Sequence, residues 1–218
     1  MTRIVKSESL HMQTYHIMKS SILEGDYKPD ERLVEAKIAE NIGVSRGTVR
    51  EAIRMLVQDG LLIYNEGQVR VYNPAVEDIV EIFQCRESLE ELAVRLAVKN
   101  ISTEELDVLD ENIQKVKEKV DHNSNVELGE LDQEFHNTLI ASSKNKQLIE
   151  LMDTIKTKIM YMRNTMTGND YLPPFINDHE RIYNALWNRN EEEAVDEMKA
   201  HINRGLDGVL SHINNKKS

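Results

Sequence analysis

Apolar residues recur at helical spacing through most of this chain, and the places where the recurrence stops divide it into parts. Met12, Tyr15, Ile17, Met18 and Ile22 predict a helix over 10–23 that stops at Gly25, before the turn-forming run DYKPDE. A short helix follows from Val34 to about Asn41, carrying Ala36, Ile38 and Ala39. Gly43 then supplies the backbone freedom of a sharp turn. Ser45 is an N-cap for a third helix that runs to Asp59 and stops at Gly60. On that helix Val49, Ile53, Leu56 and Val57 make one apolar side. Short helix, tight turn, second helix is helix-turn-helix spacing. The stretch LLIYNEGQVRVYN has β-branched and aromatic residues on both sides of Asn65-Glu66-Gly67, which predicts a hairpin with Gly67 at its tip. Together these elements predict a winged helix-turn-helix, with Pro74 as the linker that ends it.

From Ala75 on, the strand signal disappears. Helical patterns run roughly over 76–99, 103–121, 126–142, 146–166, 175–188 and 191–213. Ser102 and Glu105 have the spacing of a capping box. Asn190 followed by three glutamates places a cap and negative charge at a helix start, where the macrodipole favours them. GNDYLPP, Gly168 to Pro174, is the longest irregular connection, and NNKKS closes the chain as a polar tail. The expected fold is therefore mostly α: an N-terminal winged helix-turn-helix over 1–74 and an antiparallel all-α bundle of six to seven helices over 75–218.

Composition narrows the function classes. The chain has 218 residues with a formal net charge of −11, and 30 % of its side chains are charged. No apolar run approaches the roughly 18 residues of a membrane span, and the N-terminus lacks the apolar core of a secretory signal. A single cysteine, Cys85, cannot form an internal disulfide, so a reducing cytoplasm is the expected location. The charge is uneven. Residues 1–75 hold ten basic and ten acidic side chains, so the whole acidic excess lies further on. A neutral N-terminal part leaves room for a nucleic-acid partner that the total charge would discourage.

The third predicted helix carries the candidate chemistry of that part. Arg46, Arg50 and Arg54 stand four residues apart and line one helical stripe. Such a stripe is either a solvated polar face or a surface for a polyanion. In helix-turn-helix proteins the second helix of the motif enters the major groove, its first residues at the base edges. Arg46 and Arg50 would reach bases or phosphates there, and Gly47 would permit close backbone approach. The hydroxyls of Ser45 and Thr48 would hold phosphates beside the amides of the helix start.

The stretch ILEGDYKPDERLVEAKIAENIGVSRGTVREAIRMLVQDGLL, with GVSRGTVREA at its centre, resembles the N-terminal domain of GntR-family bacterial regulators. The resemblance implies that Arg46 and Arg50 contact a palindromic DNA operator and that Gly67 of the wing approaches the minor groove. Three positions depart from the family pattern. Gly47 stands where Thr or Ser is usual, Ala36 where some relatives carry a phosphate-binding Arg, and Glu66 places repulsive charge at the wing tip.

The second part holds a different constellation. Asp132 and His136, in LDQEFH, are four apart and share a helix face, as a chelating pair requires. His179 and His201 lie on later helices. One carboxylate and three imidazoles suit Zn²⁺ or another first-row divalent ion; ordinary polar residues at helix boundaries are the alternative. His11, His16, His122 and His212 lie near ends or loops and are expected in solvent. Residues 78–213 resemble the FCD-type effector domain of the FadR-like branch of that family. Its metal-binding members show Asp-x3-His, then His-x-x-Ile, then a later His, which Asp132, His136, His179 and His201 match. The resemblance implies a divalent metal ion, Zn first and Ni, Mn or Fe as alternatives, and a small carboxylate effector that completes its coordination. Arg86 matches an Arg that faces this cavity in some relatives and would pair with the effector; an intrahelical ion pair with Glu90 is the alternative. The expected protein is a cytoplasmic, homodimeric, ligand-responsive regulator, taken as a repressor and not an enzyme. A structural or sensory metal, or a metal-dependent hydrolase, are the alternatives.

Overall fold

A computed structural model describes residues 8–119, 125–167 and 175–217. GNDYLPP and His122 lie outside them. The chain divides into two compact units, one of Met1–Ala75 with Met160–Thr165 and the other of Val76–Ile159 with Met166–Ser218.

The first unit begins with α1 (Leu10–Glu24). Its buried residues are Thr14, Tyr15, Met18 and Ile22, whereas Ile17, expected on the apolar side, is exposed. Thr14 takes a buried slot because its hydroxyl donates to the Leu10 carbonyl at 2.8 Å, which satisfies it within the helix. Gly25 ends α1 in the left-handed conformation. Strand β1 (Arg32–Leu33) precedes α2 (Glu35–Ile42), and Gly43, at φ 78°, turns the chain towards α3 (Arg46–Gln58). Val49, Ala52, Ile53 and Leu56 bury the inner side of α3 and leave Arg46, Arg50 and Arg54 exposed on the other.

Strands β2 (Leu62–Asn65) and β3 (Gln68–Val71) form the hairpin. Asn65 pairs with Gln68, so the loop is Glu66-Gly67 alone, and both residues have positive φ, 50° and 74°. That is the tight turn whose twist matches paired strands, with Gly67 free of the steric cost Glu66 bears. The sheet has a third strand that the sequence did not signal, β1, in the order β1-β3-β2. Two residues are too few to show alternation; Leu33 is held there by pairing with Val69 and by burial.

The second unit contains, among the described residues, α4 (Val76–Asn100), α5 (Thr103–Lys119), α6 (Asn125–Ser142), α7 (Lys146–Thr167) apart from its Met160–Thr165 stretch, α8 (Ile176–Trp187) and α9 (Glu191–Lys217). The expected caps form. Ser102 and Glu105 exchange side-chain-to-backbone hydrogen bonds of 3.2 and 2.9 Å, and Asn190 accepts from the Glu193 amide. Helix α9 continues four residues past its expected end at 213, so most of the polar tail is helical. Arg189 donates to the Val98 and Ile101 carbonyls, both at 2.8 Å, satisfying acceptors at the C-terminal end of α4. Helix α4 packs on α9 and α6, α8 on α9, and α5 on α6 and α8. Phe135, Leu139, Ile182, Leu186, Met198 and Ile202 fill the space between them and are almost wholly buried.

Candidate functional site

Where α4, α6, α8 and α9 meet, polar side chains replace the apolar core. Helix α6 presents Asp132 and His136 one turn apart, α8 contributes His179 and α9 contributes His201. One ligand atom from each of the four lies within 4.8 Å of the others. His136 and His179 are 1 % exposed and His201 7 %, while Asp132 is half-buried and opens towards solvent. The His179 ring stacks on Phe135, centroids 3.8 Å apart, and tilts against Phe175 at 4.8 Å, which fixes its plane.

Two carboxylates that sequence reasoning did not place stand behind the cluster. Glu90, on α4 and fully buried, lies 2.5 Å from His136 Nδ1. Asp178, on α8, lies 3.3 Å from His201 Nδ1 and also accepts from Arg204 Nε at 2.9 Å and from Arg181. Burial would raise both acids. The Nδ1–H of His136 and the Arg86 guanidinium outweigh it at Glu90 and hold that carboxyl well below the usual range. The His201 and Arg204 hydrogen bonds do the same at Asp178, which is lowered to about 2. Burial pushes His179 well below the ordinary imidazole value. It lowers His201 too, with Asp178 opposing.

Ionised Glu90 and Asp178 assign the tautomers. Each only accepts, so His136 and His201 carry their protons on Nδ1 and turn bare Nε2 lone pairs inward. Those two nitrogens are 3.1 Å apart. Asp132 Oδ1 lies 3.8 Å from His136 Nε2 and 3.5 Å from His179 Nε2, and the latter has no hydrogen bond although it is buried. Four acceptors thus converge in a nearly dry space, an arrangement a cation would satisfy and neutral packing would not. The residues fit a divalent metal. Arg86 enters the same space: its Nε donates to Glu90 at 2.6 Å and one terminal nitrogen lies 3.0 Å from His136 Nε2. The ion pair and the cavity-facing position left open by the sequence therefore coexist.

Glu90 was legible only as a partner of Arg86 four residues earlier, and Asp178 only as the neighbour of His179. Of the remaining histidines, His11 and His16 are exposed as expected, His16 beside Glu8 at 3.2 Å. His212 is a correction: it is half-buried on α9, on a part of the helix whose neighbours cover its Nε2.

The first unit carries the other expected site. Ser45 caps α3, accepting from the Thr48 amide at 3.1 Å, and its hydroxyl lies 2.9 Å from the Thr48 hydroxyl. Gly47 is exposed, and a Cβ there would meet Ser45 Oγ only at an ordinary 3.6 Å, so the fold does not require glycine. Arg46 is exposed. Arg54 pairs with Glu51 at 2.7 Å, and Arg50 donates Nε and one terminal nitrogen to the two carboxylate oxygens of Glu35, at 3.0 and 2.7 Å. Gly67 and Glu66 are exposed at the hairpin tip. Glu35, at the start of α2, is a member of this surface that linear spacing could not find, since 15 residues separate it from its partner.

Comparison with known proteins covers both units. Residues 10–69 match the family described as bacterial regulatory proteins, gntR family, and residues 81–204 match the FCD domain. The chain is 32 % identical over 97 % of its length, and 95 % of the relative's, to the uncharacterized HTH-type transcriptional regulator YdhC of Bacillus subtilis. It is 25 % identical to the HTH-type transcriptional repressor GlaR of Escherichia coli, covering 86 % of this chain and 90 % of that one. Among solved structures, E. coli McbR/YncC superposes with a TM-score of 0.75 over 97 % of this chain and all of the other, at 22 % identity, a likeness of fold.

Proposed function

Because the chain belongs to the GntR family of bacterial transcription regulators and carries that family's FCD effector-binding domain, we propose that it is a metal-dependent, carboxylate-responsive repressor acting as a homodimer. Its relatives are regulators and not enzymes, so the hydrolase that the donor set alone suggested is set aside. In this reading residues 1–74 bind DNA and residues 75–218 bind the effector. Among the described residues no helix is long and apolar enough to cross a membrane.

The observation that carries the proposal is the convergence of Asp132, His136, His179 and His201 within 4.8 Å, with Glu90 and Asp178 orienting two of the imidazoles. These four residues would hold a divalent ion, zinc by the nitrogen-rich donor set, with nickel, manganese or iron as alternatives. A bound ion would supply positive charge and open coordination positions for a small carboxylate. Arg86, already fixed by Glu90, presents guanidinium N–H groups to the same space and would take the carboxylate's second oxygen. The anion's affinity for one arrangement of the helices would then bias the arrangement that fits the operator, and the coupling would be reciprocal.

At the other end, Arg46 and Arg50 would read base edges in the major groove. Ser45, Gly47 and Thr48 would bring the start of α3 against phosphate, and Gly67 would approach the minor groove. Two copies are required for a palindromic site. An open groove of about 600 Å³ on the helical unit, lined by Gln84, Cys85, Ser88 and Leu89 of α4 and Leu151, Thr154 and Ile155 of α7, favours a second copy as its occupant. Leu151 in that lining is a large apolar side chain left exposed, as a face between copies would have it. The repressor reading draws support from GlaR, named as one.

The test is elemental analysis of protein purified without chelator, wild type beside H179A. Release of operator DNA by a panel of hydroxy acids and dicarboxylates is then measured with the ion present and removed. Wild type should hold about one ion per chain and release DNA only with ion and carboxylate together. Release by chelator alone would favour a structural or sensory metal, and a metal-free wild type would overturn the site.

A further inference from the structure

The stripe of arginines on α3 has a carboxylate set into it. Glu35 receives Arg50 on both oxygens, at 3.0 and 2.7 Å, and feels the positive charge of Arg46 and Arg54 as well. Both partners are substantially solvent-exposed, 52 % for Arg50 and 28 % for Glu35. An ion pair so open contributes little to folding. On a surface that meets phosphate, a fixed negative charge also weakens association with any sequence. Stability does not explain the residue, and raw affinity argues against it.

Geometry gives it a use. A guanidinium has five N–H groups in a rigid planar fork. Glu35 engages the Nε side, taking Nε–H and one hydrogen of a terminal nitrogen. The far edge, made of the two terminal nitrogens, is left for a partner, and that edge matches the O6 and N7 acceptors of guanine. An unrestrained arginine would be drawn instead to the nearest phosphate, which carries no sequence information.

We propose that Glu35 is a positioning residue for operator reading: its two-point grip on Arg50 directs the free edge of the guanidinium at a base and withholds it from the phosphate backbone. The proposal rests on α3 being the reading helix, and the experiment separates the two. Duplexes enriched from a randomised pool by wild-type protein, and a scrambled duplex of equal length, are titrated with full-length wild type, E35Q and R50A. Circular dichroism melting checks that each variant is folded. For E35Q the affinity for scrambled duplex should rise several-fold while that for the enriched duplex does not, so that the ratio between them falls by the same factor. A second enrichment with E35Q should show relaxed preference at one base pair per half-site. Equal tightening on both duplexes would reduce Glu35 to a repelling charge, and no change on either would reduce it to a surface ion pair; each overturns the proposal while leaving the reading helix intact. An unchanged ratio in R50A would remove Arg50 from recognition and overturn the proposal through its premise.

Discussion

The Nε2 atoms of His136 and His201 face each other across 3.1 Å, each with its proton drawn to the opposite side of the ring by a buried carboxylate. Two lone pairs at that distance, with the buried Nε2 of His179 and Asp132 Oδ1 beside them, are an arrangement that a cation would satisfy.

Metal should therefore stabilise the protein, and His179 should be essential to that effect. At a Zn²⁺ concentration a hundredfold above its dissociation constant, unfolding should cost about 2.7 kcal/mol more than in chelator. Chemical denaturation of wild type and H179A, each with and without the ion, reads this directly. An equal gain in both proteins would place the metal elsewhere.

Glu90 and Asp178 should matter without touching the ion. E90Q and D178N each keep the shape of the side chain but weaken control of an imidazole's orientation and basicity, so metal affinity should fall about 10- to 100-fold. Competition against a fluorescent chelator measures the change. Affinity at the wild-type level in both variants would reduce these acids to partners of Arg86 and Arg204.

Acid should destabilise the metal-free protein from an unusually high pH. Burial holds His179 well below 6.5 in the folded chain and lowers His201 as well, whereas both regain the ordinary value on unfolding. Below about 6.5 the unfolded state then binds more protons, so stability is fully present above that pH and is lost as the pH falls towards the folded values. Urea midpoints in chelator should drop between about pH 7 and about pH 5.5, and H179A should drop less. Parallel losses in the two proteins would contradict the assignment.

Removing the Arg46 guanidinium should cost discrimination more than fold. R46A should lose about 1–3 kcal/mol of preference for its selected duplex over a scrambled one. If Arg46 instead touches only phosphate, both affinities fall together and the salt slope shrinks by about one unit. Titrations at several salt concentrations separate the two, and an unchanged preference would remove Arg46 from base reading.

Ser45 combines two roles that one variant can weigh. Its hydroxyl accepts from the Thr48 amide, so S45A should cost about 1 kcal/mol of stability. A urea denaturation curve gives the figure. A loss within the noise of such measurements would mean that water replaces the cap, leaving Ser45 only its phosphate-facing role.

The two kinds of structure and most of their punctuation are legible along the chain. Period-3.6 apolar spacing marked the helices, Ser45, Ser102 and Asn190 marked starts, and Gly25, Gly43 and Gly67 marked places where the backbone must take positive φ. Capping and turn chemistry act within a few residues, so they can be read along the chain. Asp132 and His136 were legible as a chelating pair for the same reason, one helical turn separating them. His179 and His201 could be added to them on donor chemistry and on a family resemblance, since nothing in linear spacing draws residues on three helices to one point. Tertiary structure alone decided the rest. It paired β1 with β3, half-buried His212, set Glu35 under Arg50, and put Glu90 and Asp178 behind the imidazoles. Each of these depends on two elements distant in sequence packing at one register, and an ionised side chain shows its role only when the group it must satisfy stands beside it.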